Sequence, residues 1–157
     1  MSRYAFLTTW LVEAPRERAW EVLMEATEWP AWWRGVERVE ELAPGDSERV
    51  GSRFLVVWRS RVPYPLAFEF TVDRVDAPRL MEGGAEGDLS GRGRWRLLEE
   101  GGVTAVLYEW DVTTSKRWMN LLAPLARPLF EHNHDVVMRW GGEGLARRLG
   151  ARLLAAG

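Results

Sequence analysis

The sequence predicts an α+β fold in which a curved antiparallel sheet packs against one long C-terminal helix. Short segments of alternating apolar and polar residues occupy most of the chain before residue 115. The last six of these segments follow one another without a helical stretch between them, which favours antiparallel pairing. The stretch 118–149 instead has the apolar spacing of an amphipathic helix.

The beginning of the chain predicts one strand and two short helices. Alternation over residues 4–12 indicates a strand whose apolar side chains share one face. Pro15 suits a first helical turn, and we predict a helix over residues 15–26. Because the residue before a proline disfavours the helical region, Pro30 separates this helix from a second one over residues 30–34.

Six further strands give a sheet of about seven. They are predicted over residues 36–42, 52–61, 66–75, 79–83, 89–98 and 103–114. Residues 66–75 alternate most clearly, with Phe68 and Phe70 on the inward face. Arg74 shares their parity, so it contacts either a ligand carboxylate or water near the strand end.

The last two strands allow a prediction of register. If Glu100 and Gly101 form a two-residue turn, both apolar sets lie on the same face of the sheet. The predicted cross-strand pairs are Trp95–Val106, Gly93–Tyr108, Gly91–Trp110 and Arg92–Glu109. The outer face then carries a ladder of arginines opposite acidic residues.

The C-terminal helix has a buried stripe that includes Phe130 and Val137. Phe130 is expected to anchor the helix, and Val137 to lie over the middle of a cavity. Gly141, Gly142 and Gly144 follow within one turn. Since each glycine weakens a helix by about 1 kcal/mol, they indicate close helix–sheet packing or space left for a ligand.

Composition restricts the class of protein. The chain has 157 residues and a net charge of −2, so we expect a single domain over 1–157 and no nucleic-acid partner. The absence of cysteine excludes disulfides and thiolate chemistry. No signal peptide or apolar run long enough for a membrane span occurs, and a cytoplasmic location is expected. The oligomeric state is left open.

Several sequence segments match a known family in their order along the chain. They are VEAPRERAWEVL, EWPAWW, GDLSGRGRWRL and EGLARRL. Together they resemble the START-like, or SRPBCC, superfamily with its helix-grip fold, within it the polyketide cyclase/dehydrase and lipid-transport type. The resemblance implies a hydrophobic cavity between the sheet and the C-terminal helix. It allows cyclase or dehydrase activity but identifies no catalytic residues.

The candidate ligand-binding residues are inward-facing aromatic side chains and residues near the helix stripe. They are Trp10, Phe54, Trp58, Phe68, Phe70, Trp95, Tyr108, Trp110, Phe130, Asn133, His134 and Val137. Asn133 and His134 flank the stripe, where each contacts either a ligand or, by a hydrogen bond, the sheet or a neighbouring loop. No metal site is expected, because His132 and His134 are two residues apart and do not face each other on a helix. No cofactor motif occurs, so no cofactor is expected.

Two functions fit these observations. The first is binding of a hydrophobic, lipid-like or aromatic small molecule in the cavity, with or without catalysis. The second is a non-enzymatic interaction module with a filled core and an exposed tryptophan patch, in which Trp29, Trp32 or Trp33 contacts a protein partner. The ten tryptophans exceed the needs of a routine core and are compatible with both.

Overall fold

The protein is described, in a computed structural model, over residues 3–59, 65–115, 117, 121 and 123–157. Parts of two predicted elements, 60–61 in the third strand and 118–120 and 122 in the helix, lie outside these residues. The elements are β1 (Arg3–Val12), α1 (Arg16–Met24), a 3₁₀ turn (Ala26–Glu28), α2 (Trp29–Trp32), β2 (Val36–Ala43), β3 (Arg53–Trp58), β4 (Leu66–Asp76), β5 (Leu80–Gly87), β6 (Leu89–Glu100), β7 (Val103–Thr114), α3 (Ala123–Leu149) and β8 (Leu153–Ala156).

The described strands form one antiparallel sheet in the order β2-β3-β4-β5-β6-β7-β1-β8. Strands β2 to β7 each pair with their sequence neighbour, as short connections favour. The α+β helix-grip fold is thus confirmed, with eight strands in place of about seven. The additional strand, β8, has only four residues and the sequence LLAA. Such a segment has no alternation that would predict a strand.

The register of the β6–β7 hairpin differs from the prediction by two residues. Trp95 lies opposite Tyr108, Gly93 opposite Trp110 and Arg92 opposite Asp111, so the predicted pairs are wrong. The turn residues are Gly101 and Gly102, whose φ angles of 59° and 79° suit the two central positions of a type I′ turn. A shift of two keeps each side chain on its predicted face. Trp95 and Tyr108 therefore share the inner face as expected.

The outer face of this hairpin carries the expected arginines with different partners. Arg94 and Arg96 both bind Glu109, with Arg94 Nε 3.0 Å from its Oε2. The hydrogen bond from Arg94 lowers the pKa of the Glu109 carboxyl below its ordinary value. Arg92 binds Asp73 of β4 instead of Glu109, because the shifted register moves it along the strand.

Helix α3 lies across part of the inner face with its predicted stripe buried. Phe130 and Val137 are 7% and 4% exposed. A Cβ on Gly141 would lie 2.5 Å from Trp33 Cε2, and one on Gly144 would lie 1.8 Å from the Trp32 carbonyl oxygen. Both positions require glycine because Trp32, the last residue of α2, and Trp33, which follows it, approach so closely. Of the two explanations for the glycine cluster, close packing is correct at these positions.

The tryptophans of α2 and its flanks are core residues. Trp33 is fully buried and packs against Trp10 with ring centroids 5.3 Å apart. Its Nε1 donates a hydrogen bond to the Val137 carbonyl at 2.9 Å. Trp29 and Trp32 are only 7% and 6% exposed. The exposed tryptophan patch of the interaction-module hypothesis is therefore wrong.

Candidate functional site

A cavity of about 600 Å³ lies between the inner face of the sheet and α1. This volume is within the usual range of small-molecule sites, about 300–1,000 Å³. Most of its lining is apolar or aromatic. These side chains are Trp20, Leu23, Met24, Ala26, Trp29, Phe54, Val56, Phe68, Phe70, Val72, Val75, Ala77, Met81, Trp95 and Tyr108.

The floor of the cavity is a pair of stacked rings on neighbouring strands. Trp95 and Tyr108 lie opposite each other, with ring centroids 4.0 Å and planes 8° apart. Tyr108 is 7% exposed, and burial raises the pKa of its phenol far above the ordinary value. Its hydroxyl therefore stays protonated and is able to donate a hydrogen bond.

One wall is formed by alternate residues of β3 and β4. Phe54 lies opposite Phe70, and Val56 lies opposite Phe68, as period-2 alternation requires. The rings of Phe68 and Phe70 lie 5.3 and 6.4 Å from that of Trp110. Both phenylalanine rings of this wall therefore pack against the same large neighbour.

An irregularity in β4 ends this wall. The pairing with β5 shifts between Val72 and Arg74, which changes the face on which later residues lie. Val75 consequently lines the cavity, whereas Arg74 is exposed and binds Glu82 at 3.5 Å. Of the two sequence-based expectations for Arg74, the position in water at the strand end is the one found.

The opposite wall comes from α1, which sequence reasoning did not assign to the site. Trp20, Leu23 and Met24 are three and four residues apart, so they share one helix face. Trp29 Nε1 donates a hydrogen bond to the Leu23 carbonyl at 3.0 Å and fixes the end of α1. The spacing of Trp20 and Met24 was the available signal. It marks a buried face but does not separate a packed core from a cavity wall.

The mouth of the cavity is polar. Its exposed polar lining residues are Ser47, Glu48 and Arg49 in the β2–β3 loop and Asp76 at the end of β4. Arg49 adopts a left-handed conformation with φ of 72°, which costs a non-glycine residue roughly 1–2 kcal/mol. The mouth thus carries two carboxylates and one guanidinium.

Local hydrogen bonds hold the β2–β3 loop in place. Asp46 Oδ1 accepts from the backbone N–H groups of Glu48 and Val50 at 2.8 and 3.0 Å. Arg49 Nη1 donates to the Met24 carbonyl at 3.4 Å, which links the loop to the end of α1. The β2–β3 loop therefore contacts the end of α1 at this side of the mouth.

Five of the twelve residues predicted for the site line this cavity: Phe54, Phe68, Phe70, Trp95 and Tyr108. The others lie outside its lining: Trp10, Trp58, Trp110, Phe130, Asn133, His134 and Val137. The cavity was expected between the sheet and the C-terminal helix. Among the described side chains, none that lines it belongs to α3, because Trp33 and Trp10 occupy the space beneath that helix.

The two polar residues of the helix stripe are buried away from this cavity. Asn133 is 8% exposed. His134 stacks on Phe6 with ring centroids 3.7 Å apart, and its Nδ1 lies 3.8 Å from Asp135 Oδ1, too far for a hydrogen bond. Burial lowers the pKa of His134 to about 4. The imidazole is therefore neutral at pH 7 and packs as an aromatic ring.

The residues of the site are better suited to binding a ligand than to transferring protons. Its ionisable lining residues are Glu48, Arg49 and Asp76 at the mouth and the protonated Tyr108 at the floor. Within the described ranges, no three histidine, cysteine, aspartate or glutamate side chains cluster as metal ligands. In the same part of the chain, no helix combines the length and apolar character needed to cross a membrane.

A curved antiparallel sheet around a long helix, with an apolar cavity on the inner face, defines a helix-grip protein. The profile of the family described as "Polyketide cyclase / dehydrase and lipid transport" matches residues 12–139. The chain therefore belongs to this family, and the resemblance to the START-like superfamily is confirmed. No curated protein sequence matches it.

Solved structures resemble the chain over nearly its whole length. The Zhui aromatase/cyclase from Streptomyces sp. R1128 superposes with a TM-score of 0.78 at 17% identity, covering 95% of this chain and 94% of that one. TTHA0849 from Thermus thermophilus superposes with a TM-score of 0.73 at 19% identity, covering 92% of this chain and 99% of that one. A START superfamily protein from Mycobacterium smegmatis superposes with a TM-score of 0.74 at 15% identity, covering 93% of this chain and 97% of that one. Identities this low establish the shared fold alone.

Proposed function

We propose that this protein binds a hydrophobic, ring-containing small molecule in the cavity between the sheet and α1. The observation that carries the proposal is a space of about 600 Å³ lined by aromatic and aliphatic side chains. Protein interiors are normally close-packed, and unfilled volume costs free energy. A cavity of this size is therefore best explained by an occupant. Its apolar surface would supply most of the binding free energy.

The family and the fold support the same class of ligand. The family description names polyketide cyclisation, dehydration and lipid transport, all of which involve hydrophobic molecules. One structural neighbour is an aromatase/cyclase. Aromatic side chains such as Phe70 and Trp95 favour ring-containing ligands, since offset or edge-to-face ring contacts add to the gain from burial. Cyclase or dehydrase activity stays a prediction, with no residue assigned to catalysis.

Tryptophan fluorescence tests the proposal. Trp20, Trp29 and Trp95 line the cavity, so an uncharged polycyclic aromatic such as anthraquinone should quench the emission in a saturable way. Trp20→Phe should reduce the amplitude of this quenching.

The matched control is Trp140→Phe. Trp140 is also half-buried, but it lies outside the cavity beneath the Arg34 guanidinium. Its replacement should leave the amplitude of quenching nearly unchanged. Non-saturable quenching, or equal effects of the two substitutions, would contradict binding in this cavity.

A further inference from the structure

We infer that the ligand is an uncharged aromatic molecule with a hydrogen-bond-accepting oxygen at its buried end, and that the Tyr108 hydroxyl binds this oxygen. The inference rests on the proposed function and specifies the chemistry of the same site. Three features carry it: the unpaired hydroxyl at the floor, the absence of charge among the described side chains inside the cavity, and the excess of carboxylates at its mouth.

The unpaired hydroxyl at the floor of the cavity belongs to Tyr108. Its ring is fixed between large neighbours, 4.0 Å from Trp95 and 5.8 Å from Trp110 by ring centroids. Within the described part of the chain, the hydroxyl makes no hydrogen bond, yet it is not among the fully enclosed polar atoms. Since Tyr108 lines the cavity, the hydroxyl opens into that space. A polar group left unpaired in an apolar site is unfavourable, and a bound ligand can relieve this cost.

The hydroxyl is a donor at this position. Burial raises the pKa of the Tyr108 phenol above its ordinary value, so the hydroxyl keeps its proton near neutral pH. No described side chain next to it accepts a hydrogen bond, so a ligand oxygen with a free lone pair is the partner that fits. Ketone, quinone and ester oxygens meet this requirement. An aliphatic chain does not.

The charge distribution disfavours an anionic head group. The charged lining residues are Glu48, Arg49 and Asp76, all exposed at the mouth. No described cationic side chain lines the floor, and burying a carboxylate without a partner is strongly unfavourable. With the opposite orientation, an anionic group at the mouth would meet two carboxylates and one guanidinium. An uncharged ligand avoids both costs.

The test uses two probes that differ in one oxygen. 2-Acetylnaphthalene carries a ketone, and 2-ethylnaphthalene has nearly the same shape without it. Isothermal titration calorimetry on the full chain should show tighter binding of the ketone. Tyr108→Phe should weaken the ketone roughly tenfold and change the hydrocarbon less than about twofold, since a single hydrogen bond is lost.

Tyr4→Phe is the matched control. The Tyr4 hydroxyl is also unpaired within the described residues, but it is fully enclosed and outside the cavity. Its removal should affect neither probe. Equal weakening of both probes by Tyr108→Phe would overturn the inference, because it would indicate lost packing and no bond to the oxygen.

Wild-type protein provides a second test that does not depend on the folding of a variant. 2-Naphthoate should bind more weakly than the ketone, and tighter binding of this anion would overturn the inference. If the hydrocarbon binds as tightly as the ketone, the inference fails while the proposed function stands. If no probe binds, the proposed function fails as well.

Discussion

The inner face of the sheet has two halves with opposite packing. Beneath α3, the rings of Trp10 and Trp33 leave no room for a Cβ on Gly141, and the Trp32 carbonyl leaves none for a Cβ on Gly144. Beside α1, a comparable set of aromatic residues surrounds about 600 Å³ of empty space. The difference shows that inward aromatic side chains do not by themselves make a cavity. Whether a cavity forms depends on how closely the covering helix approaches the sheet.

The largest expected difference comes from removing one tryptophan in each half. Trp33→Ala should lower the free energy of unfolding by about 3–5 kcal/mol for the lost ring, plus about 1 kcal/mol for its hydrogen bond to Val137. Trp20→Ala should cost less than about 2 kcal/mol, since the half-buried Trp20 borders space already empty. Urea denaturation measures both. Equal losses of unfolding free energy in the two variants would contradict the different packing of the two halves.

The filled half also contains a buried titratable group. The pKa of His134 is about 4 in the folded protein, against 6.5 for the unfolded chain. Between these two values the unfolded chain binds a proton at this position and the folded protein does not. The free energy of unfolding should therefore fall as the pH decreases from 6.5 to 4. At about 1.36 kcal/mol per pH unit, the loss approaches roughly 3 kcal/mol.

His134→Phe should remove this part of the pH dependence while keeping the ring contact with Phe6. His132→Phe, at an exposed position on the same helix, should keep it. Denaturation midpoints measured at several pH values provide the comparison. A His134→Phe profile as steep as that of the wild type would show that His134 is not the group responsible.

Enlarging a valine in the filled half should have an intermediate effect. Val137 is 4% exposed, and its Cγ1 would lie only 3.3 Å from a Cβ placed on Gly35. Val137→Trp should therefore overpack the core and cost typically about 1–3 kcal/mol. A thermal melt that shows no loss of stability would indicate free volume beneath α3.

The smallest effect is expected on the outer face, away from both halves. Glu109 has a lowered pKa, chiefly because Arg94 hydrogen-bonds to it. Its contribution is present above the ordinary carboxyl pKa and is lost as the pH falls below that value. Since both partners are partly exposed, Glu109→Gln should cost less than about 1 kcal/mol at pH 7. A larger loss in a denaturant titration would contradict this assignment.

Alternation along the strands was enough to predict most of the fold. It placed Phe54, Phe68 and Phe70 on the inner face, where they line the cavity. It could not distinguish a turn at Glu100-Gly101 from one at Gly101-Gly102, because a shift of two residues leaves every face unchanged. Register depended on the two positive φ angles that glycine accepts.

The position of the cavity could not be predicted in the same way. The parity of a strand residue shows that Trp10 and Trp95 both point inward, but not that Trp33 covers Trp10. That contact joins residues distant in the sequence and lies against Gly141, where a Cβ would meet both rings. Similarly, the spacing of Trp20 and Met24 predicts a buried helix face without showing that the space beneath it is empty.

The central claim is that ligand binds beside α1 and not beneath α3, and a cavity-filling substitution tests it most directly. Val72 is 5% exposed and lines the cavity. In Val72→Trp the new ring can enter the empty space, so the urea midpoint should stay near that of the wild type. Calorimetric titration with 2-acetylnaphthalene should then show that binding is abolished. Wild-type affinity in a folded Val72→Trp variant would contradict the claim.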